Sequence, residues 1–282
     1  TALQGSLSST NEAAQRAFGP ESGTGWLASA RSLGIAFAVA LALRAFVLEP
    51  FQIPSGSMVP TLLVGDHLFV EKFAYGIPKP IGEPGYWFRW DKPHPGDVIV
   101  FTAPAYVGPN AGEAWIKRVV ATEGQRVALK DSVLFVDDVP YKHLRQPERV
   151  TYKEFHDGAH VWGDADAFHL REAIGDVEHS IYLGMTTERN WPSADPFGNP
   201  IQLHGLRCDT TACVVLPGYV FAMGDNRDNS SDGRRWGALP VDFVRGKAEF
   251  IWMSVDGSED TFRIGSVVLP RFRWDRCFVG IE

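Results

Sequence analysis

The chain has 282 residues, 45% hydrophobic and 22% charged, the make-up of a folded protein of one large or two modest domains. Its net charge of -7 excludes the basic surface by which nucleic acid is bound. Three cysteines are too few for a disulfide scaffold. No CxxC, HExxH or GxxxxGK[ST] spacing offers redox, zinc or phosphate-loop chemistry.

Residues 1–25 are rich in Ser, Gly, Ala and Thr and carry no periodic pattern, which predicts a flexible tail. Residues 26–48 are the most apolar stretch of the chain. Only Ser32 to Leu43, 12 residues, are free of charge, and such a short core taken alone favours a buried helix or a secretory h-region over a span. Arg31 and Arg44 at its ends can snorkel, and Trp26 and Phe46 suit the two lipid interfaces. The segment is therefore expected to be a transmembrane anchor. Arg16 and Arg31 precede it, and no Lys or Arg follows Arg44 until Lys72, which places the N-terminus in the cytoplasm.

After Pro50 short β-branched and aromatic runs alternate with Gly, Pro and Asp. Examples are His67–Lys72, Asp97–Thr102, Trp115–Ala121, Ser132–Val136, Val214–Leu216, Tyr219–Met223 and Lys247–Ser254. This pattern predicts a mostly β fold of short strands. Asp137-Asp138, between two apolar runs, reads as a tight hairpin turn. Residues 142–213 are polar, His-rich and broken by Pro and Gly, and read as an insertion. The expected organisation is thus a tail (1–25), an anchor helix (26–48), a β domain in two parts (49–141 and 214–282) and an inserted subdomain (142–213). Cys208 and Cys213 lie close together in a polar loop and could pair in an oxidising compartment.

Three segments carry chemistry. In Pro54-Ser55-Gly56-Ser57-Met58-Val59-Pro60-Thr61, two prolines bracket a Ser-Gly-Ser turn. Such rigid backbone suits a fixed nucleophile, although these letters alone favour a capped turn joining helix to domain. In Trp115-Ile116-Lys117-Arg118-Val119-Val120-Ala121 a lysine interrupts an apolar run. Burial would keep its amine uncharged and able to take a proton, whereas on an edge strand it would simply face water. Lys72, in a similar run, is a rival, and Arg118 should point to the opposite strand face. Gly224 to Arg234, rich in Asp, Asn and Ser, can build a stiff polar turn. Asp228, Ser230, Asp232 and Gly233 match calcium-loop positions, but Leu239 stands where a bidentate Glu is required. His156 and His160 have ligand-like spacing yet flank a glycine, as surface-loop histidines do.

Together these segments resemble the type I signal peptidases. Glu49 to Leu62 resembles the family's nucleophile box, Gly65 to Val70 the next, Gly96 to Phe101 with Ile116 to Val119 the lysine box, and Gly224 to Arg234 the last. The resemblance implies a membrane-bound Ser/Lys serine endopeptidase with a signal-peptidase-like β domain. Ser57 would be the nucleophile and Lys117 the general base, with Ser230 orienting the lysine amine. Ser55, with the Ser57 N–H, would form the oxyanion hole, and Asp232 and Arg234 a supporting ion pair. Phe51, Ile53, Met58 and Ile116 would line pockets for small residues at -1 and -3. The implied partners are preprotein signal peptides, the lipid bilayer and the export machinery, with no nucleic acid, no metal and no cofactor. The implied location is the bacterial cytoplasmic (inner) membrane, with the catalytic domain on its periplasmic side. Two features depart from the family pattern: Gly233 replaces a serine common in the last box, and residues 142–213 resemble the family's variable subdomain only loosely. A self-cleaving repressor-type protein shares the dyad logic but needs a DNA-binding module. A non-catalytic, membrane-tethered β domain is the other competing reading.

Overall fold

A computed structural model describes residues 25–46, 48–79, 82–156, 161–184, 190–257, 263–264, 267–268 and 271–281. The chain divides into two units, Thr1–Ala45 and Phe46–Glu282. The expected tail, apart from Gly25, lies outside the described residues, as does His160.

In the first unit an α-helix begins where the anchor is expected. Helix α1 spans Gly25–Phe46, 22 residues without an acidic side chain in its first turn. Residues 26 and 28–37 are all exposed, including Trp26, Leu33, Ile35 and Phe37. Among the described residues, however, no helix is long and apolar enough to cross a membrane, which corrects the expected transmembrane anchor. The physical reason lies between Arg31 and Arg44. Twelve charge-free residues rise about 18 Å, well short of a hydrocarbon core of about 30 Å.

The second unit is built on antiparallel strands. Its main sheet runs Leu48–Gln52, Asp66–Glu71, Val244–Asp256, Val98–Thr102, Ala114–Thr122, Tyr219–Met223, Leu239–Pro240. Asp66–Glu71 alternates strictly between buried and half-buried positions, as a one-faced strand should. Val98–Thr102 is buried on both faces, which its Val-Ile-Val-Phe run anticipates. A second sheet joins Arg126–Lys130 and Val133–Val136 to the hairpin Leu206–Cys208/Cys213–Val215. Asp137 and Asp138 turn tightly between Val136 and Val139 with φ of 52° and 62°, the left-handed pair of a two-residue hairpin. Cys208 and Cys213 face each other in their ladder and are disulfide-bonded.

Residues 142–213 are of two kinds. Their latter part belongs to the second sheet. Lys142–His156, Val161–Ile174 and Val177–Leu183 form a separate three-stranded sheet whose first two strands make a long ribbon. Much of the ribbon is half-buried or exposed on both faces, so its sequence shows no period to read. One core cluster, including Ile53, Met58, Leu62, Leu68 and Ile116, underlies the segment carrying Ser57.

Candidate active site

The Ser-Gly-Ser segment forms a single 3₁₀ turn, Gly56–Met58, directly after the first strand of the main sheet. Ser55 enters the turn in extended conformation, and its hydroxyl makes no capping bond. Met58 is completely buried and pins the turn to the core beneath, while Ser57 remains half-buried above it.

Lys117 lies on Ala114–Thr122, two strands across from the N-terminal part of the sheet's long central strand, level with Ile99 and Lys247. Its Nζ is 2.7 Å from Ser57 Oγ and donates to the Ile116 carbonyl at 2.9 Å. The Trp115 ring lies 5.9 Å from the same amine. The side chain is only 5% exposed. Burial lowers the amine's pKa from 10.5 to about 8, against the pull of Asp232 and Asp225, which favour the charged form. This is a dry amine, held at a hydroxyl, that gives up its proton more readily than an exposed lysine would.

Gly224 to Arg234 closes over the turn. Gly224 leaves no room for a side chain, because a Cβ there would fall 2.5 Å from the Ser57 carbonyl oxygen and closer still to Ser230 Oγ. Asp232 accepts from Gly224 N at 3.1 Å and pairs with Arg234 through two bonds of 2.9 and 2.8 Å. Burial pushes the Asp232 carboxyl up, but Arg234 more than offsets it and holds the group ionised below its usual range. The expected bond from Ser230 to the lysine amine is not made. Ser230 Oγ is buried and without a hydrogen-bond partner, and the Ile116 carbonyl takes that place. Gly233, the departure noted above, is explained by packing: a Cβ would lie 2.7 Å from the Phe221 ring.

A cleft of about 480 Å³ opens over Ser57 and Lys117. Phe51, Ser55, Ser57, Ile116 and Lys117 line it, joined by Glu154 and Phe155 from the ribbon. Ile53 and Met58, expected in the same pockets, instead belong to the core below, 1% and 0% exposed. Lys72 is bound to Glu49 on the neighbouring strand, 3.4 Å away, and is no rival.

The back of the lysine strand holds groups that spacing did not reveal. Arg118 points away from Lys117, as strand alternation requires, but into the protein rather than to water. It donates to both oxygens of Asp225, at 2.9 and 2.8 Å, and to the Gly96 carbonyl at 2.8 Å. Thr61 donates to the same carboxylate at 2.5 Å. Arg227 forms a second buried pair with Glu172 of the inserted sheet, which also contacts His143 and His179. The one available signal was the presence of charged letters inside otherwise apolar runs, and nothing in their spacing names the partners.

The family described as signal peptidase, peptidase S26, matches residues 26–253. Signal peptidase I of Buchnera aphidicola is 34% identical over 84% of this chain and 81% of its own length. That of Pseudomonas fluorescens is 37% identical over 77% of this chain and 68% of its own. A solved signal peptidase I from Enterococcus faecalis matches at 21% identity over 56% of this chain and 97% of its own, with a TM-score of 0.29, too low to bear on the fold.

Proposed function

This chain belongs to the signal peptidase S26 family, and we propose that it removes N-terminal signal peptides from exported preproteins by a Ser57–Lys117 dyad, after small residues at -3 and -1. The observation that carries the reading is the buried, pKa-lowered amine 2.7 Å from the Ser57 hydroxyl. Neutral Lys117 takes the Ser57 proton as the oxygen attacks the scissile carbonyl. The oxyanion is received by the Ser57 N–H and the Ser55 hydroxyl, one such donor being worth about 2.7–4 kcal/mol. The ammonium then protonates the leaving amine, an acyl-enzyme forms, and water releases it with the same lysine as base.

Asp225 and Asp232 support this cycle electrostatically, because both favour the lysine's charged form and so ease proton transfer to it. Ser230 supplies a buried hydroxyl beside the Ser57 backbone that can receive the ammonium once it forms. Phe51 and Ile116 crowd the cleft beside Ser57, which favours small side chains by exclusion, while Ile53 and Met58 stiffen the floor beneath.

The catalytic domain is placed on the extracytoplasmic side of the bacterial cytoplasmic membrane. Two features support this location: the Cys208–Cys213 disulfide, which persists in oxidising surroundings, and the exposed apolar side chains of α1, suited to contact with lipid.

The test is incubation with a preprotein bearing alanines at -3 and -1. Ser57→Ala and Lys117→Ala are each expected to abolish cleavage while the domain stays folded. Lys117→Arg is expected to fail too, because a guanidinium keeps its proton. Full cleavage by any of the three would overturn the dyad.

A further inference from the structure

The ribbon sheet and the turn carrying Ser57 are joined through one residue, Asn226. Its backbone N–H donates to the Ser57 carbonyl at 3.1 Å. Its side-chain amide donates to the Gly56 carbonyl at 3.1 Å and to the Tyr152 hydroxyl oxygen at 2.9 Å. Both amide protons are therefore engaged, and the residue is 2% exposed. Tyr152 stands on Lys142–His156 and packs against Tyr182, ring centres 5.0 Å apart. Tyr182 in turn binds the same loop through its backbone. Its N–H donates to the Asp225 carbonyl, and its carbonyl accepts from Arg227 N, both at 2.9 Å. The segment Asp225–Arg227 thus lies like a short rung between the inserted sheet and the 3₁₀ turn.

We infer that Asn226 is a positioning residue for catalysis and that Tyr152 extends this role to the inserted sheet. The inference rests on the reading of Ser57 as nucleophile. The physical ground is the geometry of peptide planes. Holding the carbonyls of Gly56 and Ser57 fixes the two peptide groups on either side of Ser57 Cα. The Gly56 carbonyl and the Ser57 N–H belong to one rigid plane, so a donor on the first aims the second. That N–H is the proposed oxyanion donor, and the Ser57 side chain moves with the same turn. Asn226 can aim it only while its other amide proton has a partner, because an unpaired buried N–H would draw the side chain away. Tyr152 is that partner. The inserted sheet therefore completes the oxyanion site from behind without touching the reacting atoms.

The test compares three variants of the full chain on a peptide with alanine at -3 and -1. Their affinities are also measured for a peptide aldehyde of the same recognition sequence and for the corresponding alcohol. The aldehyde adds reversibly to the Ser57 hydroxyl and uses the oxyanion site, whereas the alcohol fills only the cleft. Asn226→Ala is expected to lower kcat about a hundredfold with KM within about twofold. Tyr152→Phe, which keeps the ring and removes only the partner oxygen, is expected to lower kcat about tenfold. In both, aldehyde affinity falls in step with kcat while alcohol affinity holds. Wild-type kcat and aldehyde affinity in Tyr152→Phe would overturn the inference, as would aldehyde and alcohol affinities falling together. Ser57→Ala separates the two levels. If it still cleaves, the dyad reading fails. If it is inactive while both other variants behave as wild type, only the positioning role fails.

Discussion

The two faces of the strand Ala114–Thr122 treat buried charge in opposite ways. On its back, Arg118 is fully enclosed, with Asp225 on its fork and the Gly96 carbonyl on its remaining amine. On its front, Lys117 is nearly as enclosed, yet its polar contacts are a hydroxyl and a carbonyl, with no carboxylate in hydrogen-bond contact among the described residues. Similar burial leaves an ion pair in one case and an amine of lowered pKa in the other. In the proposed reading, the difference teaches that reactivity comes from withheld ion pairing, with the neighbouring pair anchoring the same strand from behind.

The sharpest way to break this contrast is Lys117→Met, which fills the site without an amine. Peptide cleavage should fall by about 10⁴-fold or more. The fold should gain about 3 kcal/mol at pH 7, since the amine's pKa is about 8 folded against 10.5 unfolded. The sign follows from proton counting. Below pH 8 both states hold the proton and the full burial penalty applies. Between pH 8 and 10.5 the unfolded chain binds a proton that the folded one does not, so wild-type stability rises with pH. Urea unfolding of both proteins should therefore converge as pH climbs through that window. A constant difference would refute the burial account.

Asp225→Asn attacks the other face. It leaves a buried guanidinium uncompensated, and urea unfolding should report a loss of about 3–5 kcal/mol. Any residual activity should respond to lower pH than wild type, because one carboxylate favouring the ammonium is gone.

The wild-type pH profile sharpens the same point. With a base whose pKa is about 8, kcat/KM should climb about tenfold per pH unit from pH 6 and level off near 8. A flat profile would remove Lys117 as the titrating base. Ser230→Ala gives the smallest expected effect, a fall in kcat of about tenfold with stability altered by less than about 1 kcal/mol, since the hydroxyl has no bond to lose. An unchanged kcat would reduce Ser230 to packing.

That Ser57 and Lys117 stand out was legible because their letters sit in distinctive local settings: a serine between two prolines and a lysine inside an apolar run. Most strands were legible for a similar reason, since one- or two-faced burial leaves a period. The main-sheet strand Val244–Asp256 runs beyond the expected Lys247–Ser254 at both ends because backbone pairing continues there, Val244 with Phe101 and Val255 with Phe272. The ribbon was not legible, because exposure on both faces leaves no period. Nor were Asn226–Tyr152 or Arg118–Asp225, whose partners are separated by 74 and 107 positions and meet only through the fold. The four proposed pocket residues divided because the strand ends at Gln52, so Phe51 and Ile53, two positions apart, do not share a face, and Phe51 lines the cleft while Ile53 joins the core.

The strand order of the main sheet also fixes when the enzyme can first work. The pair holding the Ser57 turn, Leu48–Gln52 and Asp66–Glu71, meets the pair holding Lys117, Val98–Thr102 and Ala114–Thr122, only through Val244–Asp256. Ser57 and Lys117 both leave the ribosome well before Val244–Asp256, the strand that brings their half-sheets together. A chain cut before that strand is consequently expected to be inactive, because its two half-sheets have nothing between them to pair with.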